Sequence, residues 1–162
     1  MVASRVPSTS RDQQESCIFC RIARGEETNK ILYEDESFVA FHDINPAASQ
    51  HILLITKAHI PSLYSLLPTA EDIKLVKDMV AIGNELLSGT DPTQRKFGFH
   101  YPPFNSVMHI HLHCFELPHT WWGKHKYTET ERPWAGYMTA QQLLDRLQTA
   151  AAQQAQPRTA HE

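Results

Sequence analysis

The stretch "MHIHLHCFELPH", Met108–His119, decides how this chain is read. It sets His109, His111 and His113 on alternate positions, in a chain with 10 histidines in all. Alternation is the period of a β-strand, so the three imidazoles leave one face while Met108, Ile110, Leu112 and Cys114 leave the other. Successive rings along such a face stand roughly 7 Å apart. Val or Ile would bury that face better, so packing gives no reason for three imidazoles. Three uses remain: a polar face without chemistry, a metal site, or a nucleophilic imidazole whose neighbours orient it and manage protons. Collinear strand histidines splay too far to make a whole metal site by themselves. Asn105 and Ser106, in the turn leading in, add polar groups and N–H donors, a setting that suits a phosphoryl group.

The rest of the chain bounds that chemistry. Its 162 residues, 41% hydrophobic and 20% charged, fit one globular domain with a real core. A net charge of −3 gives no footprint for general nucleic-acid or membrane binding. No apolar run approaches the ~20 residues of a membrane span. The first fifteen residues, "MVASRVPSTSRDQQE", lack the apolar core of a secretory signal, and residues 1–15 are expected to form a disordered tail. Three cysteines, two of them in "CIFC", point to a reducing compartment, the cytoplasm or the nucleus.

Around the histidines the pattern alternates between short strands and helices. Ser16 is the expected N-cap of a short helix, "CIFCRIARG", closed by Gly25. "KILYED" and "SFVAFHD" read as strands around the turn Asp35-Glu36, and "HILLITK", His51–Lys57, as a third. Thr69 can cap a long helix whose stripe is Ile73, Val76, Val80, Leu86 and Leu87, with Gly89 at its stop. "RKFGFH" is a fourth strand, and Val107–Glu116 a fifth. Thr139 caps a last helix through "AQQLLDRLQ", beyond which residues 150–162 are expected to fray. Short connections favour an α+β fold with an antiparallel sheet of about five strands and a single domain over residues 16–149.

"HIHLHCF" resembles, at every position, the H-φ-H-φ-H-φ-φ signature (φ apolar) of the histidine-triad nucleotide hydrolases and transferases. "CIFCRIARGE" resembles that family's N-terminal helix and "FVAFHDINPAASQHILLITKAHI" its central strand-loop-strand, so the likeness spans Cys17 to Phe115. "GFHYPPFNSVMHIHLH" is most similar to the third branch, the adenosine phosphoramidase type. The resemblance implies the histidine-triad fold and cleavage of AMP-linked adducts, adenosine 5′-phosphoramidates above all, through a nucleotidyl-histidine intermediate. His111 is then the nucleophile, His109 orients it, His113 contacts the phosphate and His51 is the fourth active-site histidine. Asp43 is implied for the ribose, Ile18, Phe19, Ile22, Phe41, Ile44 and Leu53 for the purine, and Asn105 and Ser106 for the phosphate.

No cofactor is implied for the chemistry, but zinc-bearing relatives imply a structural site of Cys17, Cys20, His59 and His109. By itself a lone C-x-x-C is a weak redox signal, and Cys17 and Cys20 read first as buried groups filling apolar space. Two departures bear on the leaving group. Asn105 stands where many members have Gln, and "FHYPPF" replaces a Gly-rich loop, without the phosphate-contacting Asn near Gly98. The expected partners are a purine nucleotide and a second copy of the chain in a homodimer, with no membrane and no nucleic acid. The alternatives are a dinucleotide, cap or DNA-adenylate hydrolase of the same superfamily, or a nucleotide-binding scaffold without turnover. For a nucleic-acid substrate only "WWGKHKY", Trp121–Tyr127, offers aromatic and basic groups, and it reads more plainly as a cleft rim or dimer contact.

Overall fold

The computed structural model describes residues 11–127 and 136–156. Helices α1 (Arg11–Ser16) and α2 (Ile18–Ala23) lead into strands β1 (Ile31–Glu34), β2 (Phe38–His42) and β3 (Ala48–Thr56). Helix α3 (Ala70–Leu86) follows, then β4 (Arg95–His100), β5 (His111–His119), α4 (Trp121–Lys126), β6 (Tyr137–Thr139) and α5 (Ala140–Ala155). The strands form one antiparallel sheet in the order β1-β2-β3-β5-β4-β6.

The period-2 pattern of β5 divides the molecule. Ile110, Leu112 and Cys114 join Ile52 and Leu54 in the main core, sealed by Val76, Met79 and Ile82 of α3 and Leu143, Leu144 and Leu147 of α5. Thr69 caps α3 by accepting from the Asp72 N–H, and Thr139 caps α5 in a reciprocal box with Gln142. On the opposite face Phe19 and Ile22 of α2 pack on Val39, Phe41, Leu53 and Ile55. The remainder of that face is left to the histidines.

Several elements depart from the expectation. There are six strands, not five: Tyr137–Thr139 adds an edge to β4, and three residues are too few to show alternation in the sequence. Strand β5 begins at His111 rather than Val107, because the Ile110 N–H leaves the sheet to donate to the Ile60 carbonyl. Cys17, not Ser16, is the N-cap of α2, without a side-chain bond, and Ser16 ends α1. Residues 11–15, expected in a disordered tail, belong to α1, a helix with no buried residue and an Arg11–Glu15 pair. Helix α5 runs on to Ala155, past the expected fraying at 150, since Ala and Gln are good helix formers. The rest of both expected tails, residues 1–10 and 157–162, lies outside the described residues. No helix among the described residues is long and apolar enough to cross a membrane.

Candidate active site

Strand register brings the histidines together. Leu53 of β3 faces His113 across the ladder and His51 faces Phe115, while Gly98 of β4 faces His113 from the other side. His100, two residues after Gly98, therefore leaves the same face. Gly98 matters because a Cβ there would strike the Tyr137 hydroxyl and the Met138 carbonyl, so only glycine lets β6 lie this close.

The hydrogen bonds fix most of the tautomers. The Ala47 N–H donates to His51 Nδ1 at 3.2 Å, so the His51 proton sits on Nε2, which lies 2.9 Å from His113 Nδ1. His113 then carries its proton on Nε2, which meets His100 Nδ1 at 3.2 Å, and His100 Nε2–H donates to the Lys126 carbonyl at 3.2 Å. One directed chain of neutral imidazoles thus runs from a backbone donor to a backbone acceptor. Asp43 stands beside it, its Oδ2 3.5 Å from His51 Nε2. His111 is held apart from the chain: its Nδ1–H donates to the His109 carbonyl at 2.7 Å, which leaves the Nε2 lone pair free. The Phe19 ring, edge-on at 5.2 Å, restrains that imidazole.

His111 and His113 line a cavity of about 380 Å³. The expected purine and ribose residues gather there: Ile18, Phe19, Ile22, Phe41, Asp43 and Leu53 in its wall, with Ile44, 86% exposed, at the rim. Ser106 also lines it. Three expected site residues do not. His51 is buried behind His113, and Asn105 spends its amide on the Val107 carbonyl at 3.2 Å. His109 turns away toward α2. Sequence reasoning missed Asn29, Asn45, His100, Phe104, Val107 and Lys126 as lining residues. His100 had one available signal, its two-residue offset from Gly98 on a strand; Lys126 had only its place in "WWGKHKY".

His109 belongs to a second cluster. Its Nε2–H donates to the Thr56 carbonyl at 2.8 Å, so Nδ1 offers its lone pair to Cys17 Sγ and Cys20 Sγ, both 3.5 Å away. His59 Nδ1 lies 3.1 Å from Cys20 Sγ. The four ligand atoms of Cys17, Cys20, His59 and His109 all lie within 4.8 Å of one another. Burial, with Cys17 adding to it, pushes the Cys20 thiol up to about 12.

Burial also disfavours charge on the imidazoles. It pushes His51 down to about 3 and His100 to about 4, and it lowers His111 and His113 as well. These rings are neutral when folded and titrate near 6.5 when unfolded. The unfolded chain therefore binds more protons in acid, and stability is lost as pH falls below 6.5 toward the folded values. At about pH 5, His51 and His100 together are expected to remove about 4 kcal/mol, from about 1.36 kcal/mol per pH unit for each ring. Urea unfolding at pH 7 and pH 5 measures this; equal midpoints would mean that the rings are not buried neutral.

Comparison with known proteins agrees with this geometry. The sequence model of one family, described as "Scavenger mRNA decapping enzyme C-term binding", matches residues 16–128. A bifunctional adenosine 5′-phosphosulfate phosphorylase/adenylylsulfatase of Arabidopsis thaliana is 44% identical over 135 residues, 82% of this chain and 92% of that protein. An adenosine 5′-monophosphoramidase of Danio rerio is 48% identical over 103 residues, 61% of this chain and 63% of its own length. Among solved structures, a HIT family hydrolase from Legionella pneumophila superposes with a TM-score of 0.59 at 31% identity, covering 65% of this chain and 97% of that one. Matched over most of its length by that family model, by these relatives and by histidine-triad structures, the chain belongs to the histidine-triad family.

Proposed function

We propose that this protein is a nucleotide hydrolase that cleaves AMP-linked adducts, adenosine 5′-phosphoramidates among them, to AMP. The observation that carries this reading is the free Nε2 of His111, at the wall of an apolar cavity that also presents the Asp43 carboxylate. A purine suits the flat apolar walls, and a carboxylate suits two ribose hydroxyls. His111 Nε2 attacks the α-phosphorus, forming a P–N bond as the bond to the leaving group breaks. The positive charge that appears on the ring is met at Nδ1–H by the His109 carbonyl, so His109 acts through its backbone. A bound phosphate anion raises the proton affinity of the imidazole chain, and with one extra proton held there His113 turns its Nε2–H from His100 to the departing amine. Water then attacks the phosphorus, gives a proton to His113, and frees His111 and AMP. His51 and His100 hold His113 in register as positioning residues.

Cys17, Cys20, His59 and His109 suit a structural zinc ion. The donor set is two thiols and two imidazoles, and the Thr56 carbonyl fixes the tautomer that leaves His109 Nδ1 available. Such an ion would fasten the start of α2, and hence Phe19 and Ile22 of the purine wall, to the residue whose carbonyl orients His111. The three free thiols fit a reducing compartment such as the cytoplasm or nucleus.

Incubation of the purified chain, free of any histidine tag, with a fluorogenic adenosine phosphoramidate tests the reading. The expected products are AMP and free amine. AMP binding without turnover would overturn it, and cap analogues and 5′-adenylylated DNA would be the next substrates.

A further inference from the structure

The cluster of Cys17, Cys20, His59 and His109 contains a pair of thiols with chemistry of its own. Cys17 precedes α2 and Cys20 lies in its first turn, so the two side chains stand one helical turn apart. Their sulfurs converge: both lie 3.5 Å from His109 Nδ1, and they are within 4.8 Å of each other. An S–S bond is ~2 Å long, so the two sulfurs are at most about 3 Å short of bonding. Spacing in the sequence cannot show this, because it does not say where the sulfurs point.

The two thiols differ in access. Cys20 is 4% exposed, and Cys114, the remaining cysteine, is fully buried in the main core across the sheet. Cys17 is half-buried and lines an open hollow of about 430 Å³ with Gln13, Ser16, His59, Pro61 and Met108. Among the described residues, a small solute in that hollow meets the Cys17 sulfur and neither of the others. The hollow holds no catalytic imidazole of the nucleotide cavity, from which Ile18, Ser106 and Val107 divide it, lining both. Phe19, between the two cysteines in the chain, turns its ring edge-on to His109 at 5.9 Å, to His111 at 5.2 Å and to Phe41 at 5.8 Å. The thiol pair thus lies behind the purine wall and has an entrance separate from it.

We infer that Cys17 and Cys20 form a second reactive site, a dithiol whose substrates are small organic disulfides, with Cys17 as the attacking sulfur and Cys20 as the resolving one. Cys17 Sγ gives its proton to solvent and bonds to one sulfur of the incoming disulfide. The S–S bond of that molecule breaks, and its electron pair leaves with the other half, which takes up a proton as a thiol. Cys20 Sγ then loses its proton and bonds to Cys17 Sγ, and the second half leaves as a thiol in the same way. The chain is oxidised by two electrons and one disulfide is reduced to two thiols, so no other oxidant is needed. The mixed disulfide on Cys17 is short-lived because Cys20 already stands beside it. Closing the bond removes two of the four donors from the cluster, so a chain loaded with zinc gives up its ion. That last step rests on the zinc reading above. It unfastens α2 from His109 next to the Phe19 ring.

The test treats the full chain, free of any histidine tag and loaded with zinc, with oxidised glutathione. Acid-quenched samples give the intact mass, and a chromophoric chelator counts the zinc released. Wild type and Cys114→Ser are expected to lose two hydrogens, hold no glutathione and release one zinc ion per disulfide formed. Cys20→Ser should stop after the first step and hold one glutathione, which peptide mapping places on Cys17. Cys17→Ser should react about tenfold more slowly or less, since the thiols it keeps are buried. Three results overturn the inference: wild type that keeps glutathione as a stable adduct, Cys20→Ser that takes up none, or Cys17→Ser that reacts at the wild-type rate. A disulfide that forms in wild type with no zinc to release would support the dithiol and overturn the zinc reading instead.

Discussion

His111→Ala is expected to lower kcat/KM for adenosine 5′-phosphoramidate by roughly a thousandfold or more, about 4 kcal/mol of transition-state stabilisation. The size follows from removing the atom that forms the covalent bond, which no neighbour can replace. His113 donates its Nε2–H to His100 and accepts at Nδ1 from His51, while His109 faces the cysteines. AMP should still bind, because Phe19, Phe41, Leu53 and Asp43 are untouched by the change. Rapid acid quench followed by mass analysis gives an independent reading. Wild type should carry an adenylyl group during turnover, and the variant none. A variant that keeps a tenth of the activity would place the nucleophile elsewhere.

Much of this site is legible in the chain before folding. The period of "HIHLHCF" separates imidazoles from core residues, and Ile110, Leu112 and Cys114 do enter the core. The threonine caps of α3 and α5 follow from local chemistry, and the structure holds both. What escaped depends on distance in sequence. His100 is one more strand histidine until the β4–β5 register sets Gly98 opposite His113. Lys126 enters the cavity only because Gly123 lets α4 press against Ala47. Periodicity puts His109 in line with its two neighbours, and it cannot show that the Ile110 N–H would choose the Ile60 carbonyl over a sheet partner. That choice separates the three histidines into different uses: His109 turns to the cysteines, His111 frees a lone pair, and His113 joins the imidazole chain.

Zinc is expected to stabilise the fold, and loss of a ligand to remove that effect without abolishing the cavity. An ion whose dissociation constant lies a thousandfold below its free concentration contributes about 4 kcal/mol. For a domain of this size that raises the thermal midpoint by roughly 8–16 °C. The gain should be missing in Cys20→Ser, since Cys20 is buried and its Sγ lies within reach of both His59 and His109. Cys114→Ser is the informative control: that thiol is also buried, but it lies across the sheet in the main core, away from the cluster. Scanning calorimetry with zinc and with chelator separates the cases. A midpoint that ignores zinc would leave the cysteines as packing groups. A midpoint that responds equally in Cys20→Ser would mean the ion binds elsewhere. The same ion should also slow exchange of the His109 and Thr56 backbone amides, because Nδ1 coordination tightens the ring that donates to the Thr56 carbonyl. The carbonyl of His109 is the acceptor that orients His111, so metal and nucleophile are joined through one residue. Chelation should therefore lower kcat for the phosphoramidate at temperatures where the apo fold is still intact.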